Sequence, residues 1–375
     1  MGNKLMNSKE RVTRAIEFGR PDRVPFISSN SILGILTTDV FPIVPFPNNE
    51  WQPQNSPPYY PHVDPIFMKL GLYKWDTSKW NPPPPKNWHE LPHTEIDEWG
   101  SYWDHRGDAT MGHPSKPAIE SLDDLDSLIV PSGSNLKRLK YIKMLSKLFP
   151  NKYKIGMMEN FFFERSHFIR GFSKILVDYK KNPKKVLDLI NKIKTYYLEM
   201  VKSLYLSGAD GIATPDDLGT QLSAIIGPKI FNKFYREAYS DVIDLCHDLG
   251  MHFILHSCGN ISPLIQILIE IGVDALQFDS PHMVGFNTAK KYAEKICFWN
   301  CVNIQSIYPF GTTRDVFKDV MKMIKTVGAR DGGLLIIDYM GAPKTLNVPR
   351  NNVKAMWEAV RVYGKYKKNG ESILI

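Results

Sequence analysis

Met251-His252-Phe253-Ile254-Leu255-His256-Ser257-Cys258-Gly259-Asn260 decides how this chain is read: a short apolar run, then a histidine and a cysteine separated by one residue, then a glycine. The run reads as a buried strand ending at His256. Side chains alternate across a strand, so residues two apart point to the same side. His256 and Cys258 are therefore expected to share a face where the strand gives way to a loop, with Gly259 letting the backbone turn sharply behind them.

Working outward, the same rhythm repeats on both sides. Before this strand come a helix over about Pro228 to Leu249 that stops at Gly250, and the strand with its exit loop Gly211-Ile212-Ala213-Thr214-Pro215-Asp216-Asp217. Earlier still lie a long helix from Pro183 to Leu206, the strand Tyr153 to Glu159 and a helix from Leu136 to Leu148. After it come a helix from Ser262 to Ile271, the strand Ala275 to Asp279, a helix near Thr288 to Lys295 and the strand Ile296 to Cys301. The helix Thr313 to Thr326, the strand Leu334 to Asp338 and a last helix from Pro349 to Tyr366 complete the series. Short apolar strands alternating with helices imply a parallel sheet with helical crossovers. Six such units, an early strand at Val24 to Ser28 and one further strand in the first third make a (β/α)8 TIM barrel with an N-terminal Pro/aromatic-rich extension. A doubly wound sheet would call for a glycine-rich phosphate turn, and neither GxGxxG nor GxxxxGK[ST] occurs.

The first third is less regular. A helix from Ser8 to Phe18, capped by Ser8, is expected to stop before Pro21. Residues from about Pro42 to Pro92 are dense in Pro, Trp and Tyr and include Pro82-Pro83-Pro84-Pro85. Proline fixes φ and removes a donor, so this stretch reads as an ordered covering segment, a lid or a dimer contact. Residues 1–130 thus hold the first helix, the first strand and the covering segment, and residues 131–375 hold the remainder of the same barrel domain.

Composition narrows the function classes. The 375 residues are 43% hydrophobic and 23% charged, the balance of a soluble globular protein. No apolar run is long enough to span a bilayer, and Met1-Gly2-Asn3-Lys4-Leu5-Met6 lacks the apolar core of a signal peptide, so the expected location is the cytoplasm. The net charge of +8 is spread over helix faces such as Lys180-Lys181 and Lys184-Lys185, which reads as a solvated surface and not as a nucleic-acid patch. Four cysteines, Cys246, Cys258, Cys297 and Cys301, do not make a secreted disulfide framework; reduced thiols or metal ligands are expected.

In a barrel of this kind chemistry gathers at the C-terminal ends of the strands. The residues there are Glu159, Asp216, Asp217, His256, Cys258, Asp279, Cys301 and Asp338. Zinc accepts both imidazole and thiolate, and a catalytic zinc usually has three protein ligands and one open position. His256 and Cys258 are candidate ligands, and Cys301 is a candidate third. Asp217 and Asp279 suit orienting roles, or simply the turns at Leu218-Gly219 and Ser280-Pro281. Cys246 and Cys297 read as core residues, His247 and His252 as structural, and His282 stays in reserve.

Several motifs together resemble the uroporphyrinogen decarboxylase superfamily. They are Arg11-Val12 with Pro21-Asp22-Arg23-Val24-Pro25, Phe163-Glu164-Arg165, Asp216 to Gln221, His256 to Ile261, Val302-Asn303-Ile304-Gln305 with Pro309-Phe310-Gly311-Thr312, and Asn347-Val348-Pro349 with Asn352-Val353. The resemblance covers nearly the whole chain and implies one of two chemistries. True decarboxylases of the superfamily grip a polycarboxylate with an arginine-rich loop and carry a histidine near the last strand. Here the matching loop, around Ser28-Ser29-Asn30, has no arginine, and Asp338-Tyr339-Met340-Gly341 has no histidine.

The cobamide-dependent methyltransferase branch keeps the His-x-Cys pair. It implies zinc at His256 and Cys258, a small methylated substrate or thiol acceptor, a corrinoid (cobamide) held by a separate protein, and a homodimer. The branch's third ligand is a cysteine after the last strand, where this chain has Met340 or Gly341; Cys301, Asp279 or Glu159 would take its place. Asp217 and Asp279 would then orient ligands or substrate, Glu159 would serve as acid or ligand, and Tyr339 would contact substrate. The alternatives are a metal-free decarboxylase relying on Asp217 or Tyr239, and a barrel that binds without catalysis.

Overall fold

The computed structural model describes residues 6–27, 38–43, 91–106, 112–279, 281–328, 331–339 and 346–366. Most of the Pro42 to Pro92 segment, the loop Ser28-Ser29-Asn30, and Met340-Gly341 lie outside the described residues. Eleven strands are described: β1 Phe26–Ile27, β2 Val40–Ile43, β3 Pro92–Ile96, β4 Tyr102–Arg106, β5 His113–Lys116, β6 Tyr153–Met157, β7 Gly211–Pro215, β8 His252–His256, β9 Ala275–Phe278, β10 Cys297–Asn300 and β11 Leu334–Ile337. Eight of them form one sheet in the order β1-β11-β10-β9-β8-β7-β6-β2, every pair parallel. This is the expected barrel, and β2 is the additional strand of the first third.

The two edge strands meet at Asp39. Its backbone N–H donates to Phe26 O at 3.1 Å, and its carboxylate accepts from Phe26 N at 3.0 Å. Arg11, Arg23 and Ser8 all donate to the same buried carboxylate, so one side chain ties the first helix to both edges. The helix Ser8–Ile16 is consequently capped one residue earlier than expected: Asn7 accepts from Glu10 N, because the Ser8 hydroxyl is committed to Asp39.

Strand alternation sorts the core into two layers. Ile27, Val40, Ile155, Ala213, Ile254, Ala275, Trp299 and Leu335 point into the barrel, whose floor is closed by Val12, Ala15 and Ile16 of the first helix. Phe26, Phe41, Ile212, Phe253, Leu276, Phe298 and Ile336 point outward under the surrounding helices. Each such side chain taken out of water contributes about 1.5–3 kcal/mol.

The helix Pro183–Leu206 has the expected bounds and buries Val186, Leu189, Ile190, Ile193, Tyr197, Met200, Val201 and Leu204 at helical spacing. The helix near Thr288 to Lys295 is found as Phe286–Tyr292, and a short helix Pro281–Val284 that was not foreseen precedes it, set off by Gly285, whose φ is 85°. The helices Phe162–Arg170 and Phe172–Lys181 were not foreseen, and neither was the antiparallel sheet β3-β4-β5. Among the described residues no helix is long and apolar enough to cross a membrane.

Candidate metal centre at the barrel mouth

The loops leaving β7 and β8 pack backbone to backbone. A Cβ on Gly259 would stand 2.4 Å from Gly219 O, and one on Gly219 would stand 2.8 Å from Cys258 O, so both positions need glycine. Asn260 N donates to Thr220 O at 2.7 Å across this seam, and Leu218 N donates to Ser257 Oγ at 3.0 Å. Cys258 N donates to Asp217 Oδ1 at 2.8 Å. The seam thereby brings Asp217 from one loop against Cys258 of the next.

His256 completes the group. Its Nε2 lies 3.4 Å from Cys258 Sγ and 3.6 Å from Asp217 Oδ1. One donor atom from each of Asp217, His256 and Cys258 falls within 4.8 Å of the other two. The neighbouring strand fixes the imidazole. His256 stands opposite Gln277 in the β8–β9 register, and its Nδ1 meets Gln277 Oε1. The Gln277 amide nitrogen donates to Asp279 Oδ1 at 3.2 Å, which leaves its oxygen to accept from His256. Nδ1 therefore carries a proton, and Nε2 faces the thiol and the carboxylate. Burial lowers the imidazole pKa, but Asp279 and Asp217 outweigh it and hold it above its ordinary value, so Nε2 presents its lone pair once a cation takes the place of that charge.

The electrostatics are one-sided. Burial raises the Cys258 thiol far above its ordinary range, and Asp217 and Asp279 raise it further. Asp279 Oδ2 accepts from Cys258 Sγ at 3.9 Å. Burial pushes the Glu164 carboxyl well up, and Asp217 and Asp216 add to it; among the described residues Glu164 Oε2 has no hydrogen-bond partner. A thiol, an imidazole lone pair and several carboxylates converging this way are the donor set of a divalent cation, whose charge would relieve the crowding. Asp217 is 41% exposed, so the cluster opens toward solvent.

The other expected site residues take distinct places. Asp279 reaches the cluster through Gln277 and Cys258. Glu159 lies at the end of β6 and is paired with Arg165 at 3.2 Å. Burial pushes the Tyr339 phenol up to about 12, and Asp279, Cys258, Cys301 and Asp217 add to the shift, which sets Tyr339 beside the cluster as a protonated hydroxyl. Cys301 lies outside the group formed by Asp217, His256 and Cys258. Its thiol is buried in the outer core layer and raised by burial, then by Asp338 and Asp279.

Asp216 and Asp338 are both engaged by neighbouring donors. Asp216 accepts from the N–H groups of Phe163 and Glu164 and from the Tyr239 hydroxyl, capping the helix Phe162–Arg170, and Asp338 accepts from Tyr308. His252 bonds Tyr153, His247 bonds Asp274 and His282 bonds Asp319. Gln277 and Glu164 are the members of the site that sequence reasoning passed over.

The family described as Uroporphyrinogen decarboxylase (URO-D) matches residues 107–363. Methylcobamide:CoM methyltransferase MtbA of Methanosarcina mazei is 24% identical over 255 residues, covering 66% of this chain and 70% of that protein. The MtbA of Methanosarcina acetivorans is 24% identical over 259 residues, with the same coverage of 66% and 70%. Among solved structures, a methyltransferase from Methanosarcina mazei superimposes with a TM-score of 0.61 at 16% identity, covering 95% of this chain and 99% of that one.

Proposed function

This chain belongs to the uroporphyrinogen decarboxylase family, and from that premise we propose that it is a zinc-dependent methyltransferase, moving a methyl group between a small substrate and a corrinoid carried by a partner protein. The observation that carries the proposal is the convergence of Asp217, His256 and Cys258 at the barrel mouth. The names of the two curated relatives, methylcobamide:CoM methyltransferases, support the reaction class.

In this reading His256 Nε2, Cys258 Sγ and an Asp217 oxygen hold the zinc, and Asp217 takes the place expected of Cys301. When bound, zinc supplies a Lewis acid that activates a thiol acceptor or draws charge from the leaving group of a methyl donor. The protein's own groups do the rest. Gln277 keeps the His256 proton on Nδ1. Asp217 also holds the Cys258 backbone N–H, fixing the loop that carries the thiol. Tyr339 keeps its phenolic proton at neutral pH and offers a hydrogen bond to the substrate. Glu159 positions Arg165 instead of shuttling protons. The enzyme works in the cytoplasm, where Cys258 stays reduced.

A polycarboxylate substrate suits the mouth poorly. Asp217, Asp279, Glu159 and Glu164 would repel it, and the guanidinium of Arg165 is already shared between Asp97 and Glu159.

Zinc content and demethylation of methylcobalamin by a thiol test the proposal. Wild type should hold about one zinc at this site, lost in Cys258→Ser and Asp217→Asn and kept in Cys301→Ser. A zinc-replete wild type that holds no more zinc than Cys258→Ser and leaves methylcobalamin intact would sink it.

A further inference from the structure

A second group of metal-type donors lies outside the barrel sheet, on β3 and β4. His93 and Glu95 are two apart on β3 and share a face. His105 on β4 stands directly opposite His93 in the antiparallel register. Their imidazoles stack with centroids 4.7 Å apart and planes 5° from parallel. Both rings aim Nε2 at the same carboxylate: His93 Nε2 lies 2.8 Å from Glu95 Oε1, and His105 Nε2 lies 3.4 Å from Glu95 Oε2. The side chains of His93, His105 and Glu95 are 15%, 15% and 7% exposed, so these donors meet largely away from water.

His93 Nδ1 lies 2.6 Å from Leu91 O. A carbonyl only accepts, so this nitrogen carries a proton and Nε2 presents its lone pair unless the ring is cationic. An ionised carboxylate also only accepts. The contact between His93 Nε2 and Glu95 therefore needs a positive charge between them, either an extra proton or a metal ion. The nitrogen-to-carboxylate separations of 2.8 and 3.4 Å lie near the spacing of about 3.3 Å between two donor atoms bound to one tetrahedral zinc. The Nδ1–H to carbonyl bond of His93 is also the support that metal-binding histidines typically have. Gly112 completes the seat: a Cβ there would stand 2.8 Å from His105 Cε1, so the His105 ring lies against bare backbone on that side.

We propose that His93, Glu95 and His105 form a second metal site that takes a borderline divalent first-row ion of the zinc type through the two Nε2 atoms and the carboxylate. Two imidazoles with one carboxylate suit such an ion better than calcium or magnesium, which prefer all-oxygen sites. Its role is structural. The turn after β3 carries Asp97, which holds Arg165, which in turn holds Glu159 at the barrel mouth. An ion clamping β3 to β4 steadies the base of that chain of contacts.

The site is independent of the mouth, and the test keeps the two apart. Zinc is measured in full-length wild type, Cys258→Ser, His105→Gln, and the double variant Cys258→Ser/His105→Gln. Cys258→Ser should retain about one zinc that the double variant loses. Equal zinc in those two proteins, or none in either, overturns the second site. The mouth reading fails separately, if wild type and Cys258→Ser carry the same zinc. Cobalt(II) titration of wild type guards against a misfolded variant. Only the mouth has a thiolate, so thiolate-to-cobalt charge transfer should saturate with one equivalent while weaker d–d absorption keeps growing with a second. Absorption that stops growing after the first equivalent also overturns the site.

Discussion

His256 and Gln277 face each other across adjacent strands, and the glutamine oxygen accepts a hydrogen bond from the imidazole's Nδ1–H while its amide nitrogen donates to Asp279. Removing that acceptor frees the ring to rotate and to change tautomer. Gln277→Leu should weaken zinc binding at the mouth by about 10–100-fold, the usual effect of losing a ligand's supporting partner. Gln277→Glu keeps an acceptor and should bind more tightly than Gln277→Leu. Competition against a chromophoric chelator measures both. Unchanged affinity in Gln277→Leu would mean that His256 is oriented by something else.

Arg165 is buried beneath the mouth, donating to Asp97 at 2.9 Å and to Glu159 at 3.2 Å, with its guanidinium 5.3 Å from the centre of the Trp99 ring. Arg165→Met leaves Asp97 as a buried carboxylate without its cation and should cost about 3–5 kcal/mol in urea unfolding. Adding Asp97→Asn removes the stranded charge and should recover part of that loss. Additive costs in the double variant would show that the two residues do not act as a pair.

The barrel was readable because β6 to β11 are short apolar runs, buried on both faces and separated by helix-length segments. β2 was harder to see: Val40-Phe41-Pro42-Ile43 is brief and contains a proline. The antiparallel sheet was hidden by strands such as His113-Pro114-Ser115-Lys116, which is exposed throughout and has no apolar periodicity. At the site, alternation carries Ile254 to His256 and Ala275 to Gln277 along the inner face, which is why the His-x-Cys reading pointed to the mouth. Cys301 continues the series Cys297, Trp299 on paper, but the chain leaves the strand at Asn300 and the thiol packs in the outer layer. Gln277 has no local signature, because its role exists only through the register with His256. Glu164 belongs to the motif Phe163-Glu164-Arg165, but the start of its helix is set by a distant aspartate, Asp216, so the motif alone did not bring it to the mouth.

His167 sets an acid limit on stability. It is packed among Phe163, Phe168 and Phe172, and burial together with the nearby Arg165 charge brings its pKa down to about 3. The unfolded chain protonates this ring near its ordinary value of 6.5 and the folded protein does not. Its contribution is therefore fully present above that value and is lost progressively as pH falls toward 3, by up to about 1.4 kcal/mol per unit. Asp39 acts in the same direction but lower: burial alone would raise it, yet Arg23 and Arg11 hold it below its ordinary 3.8. Histidines held up by carboxylates, such as His247 bonded to Asp274, oppose the trend. The comparison must therefore be made against a variant. Between pH 7 and pH 5 wild type should lose about 2 kcal/mol more than His167→Leu in urea unfolding. Parallel losses in the two proteins would mean that the His167 ring takes up its proton in the folded state.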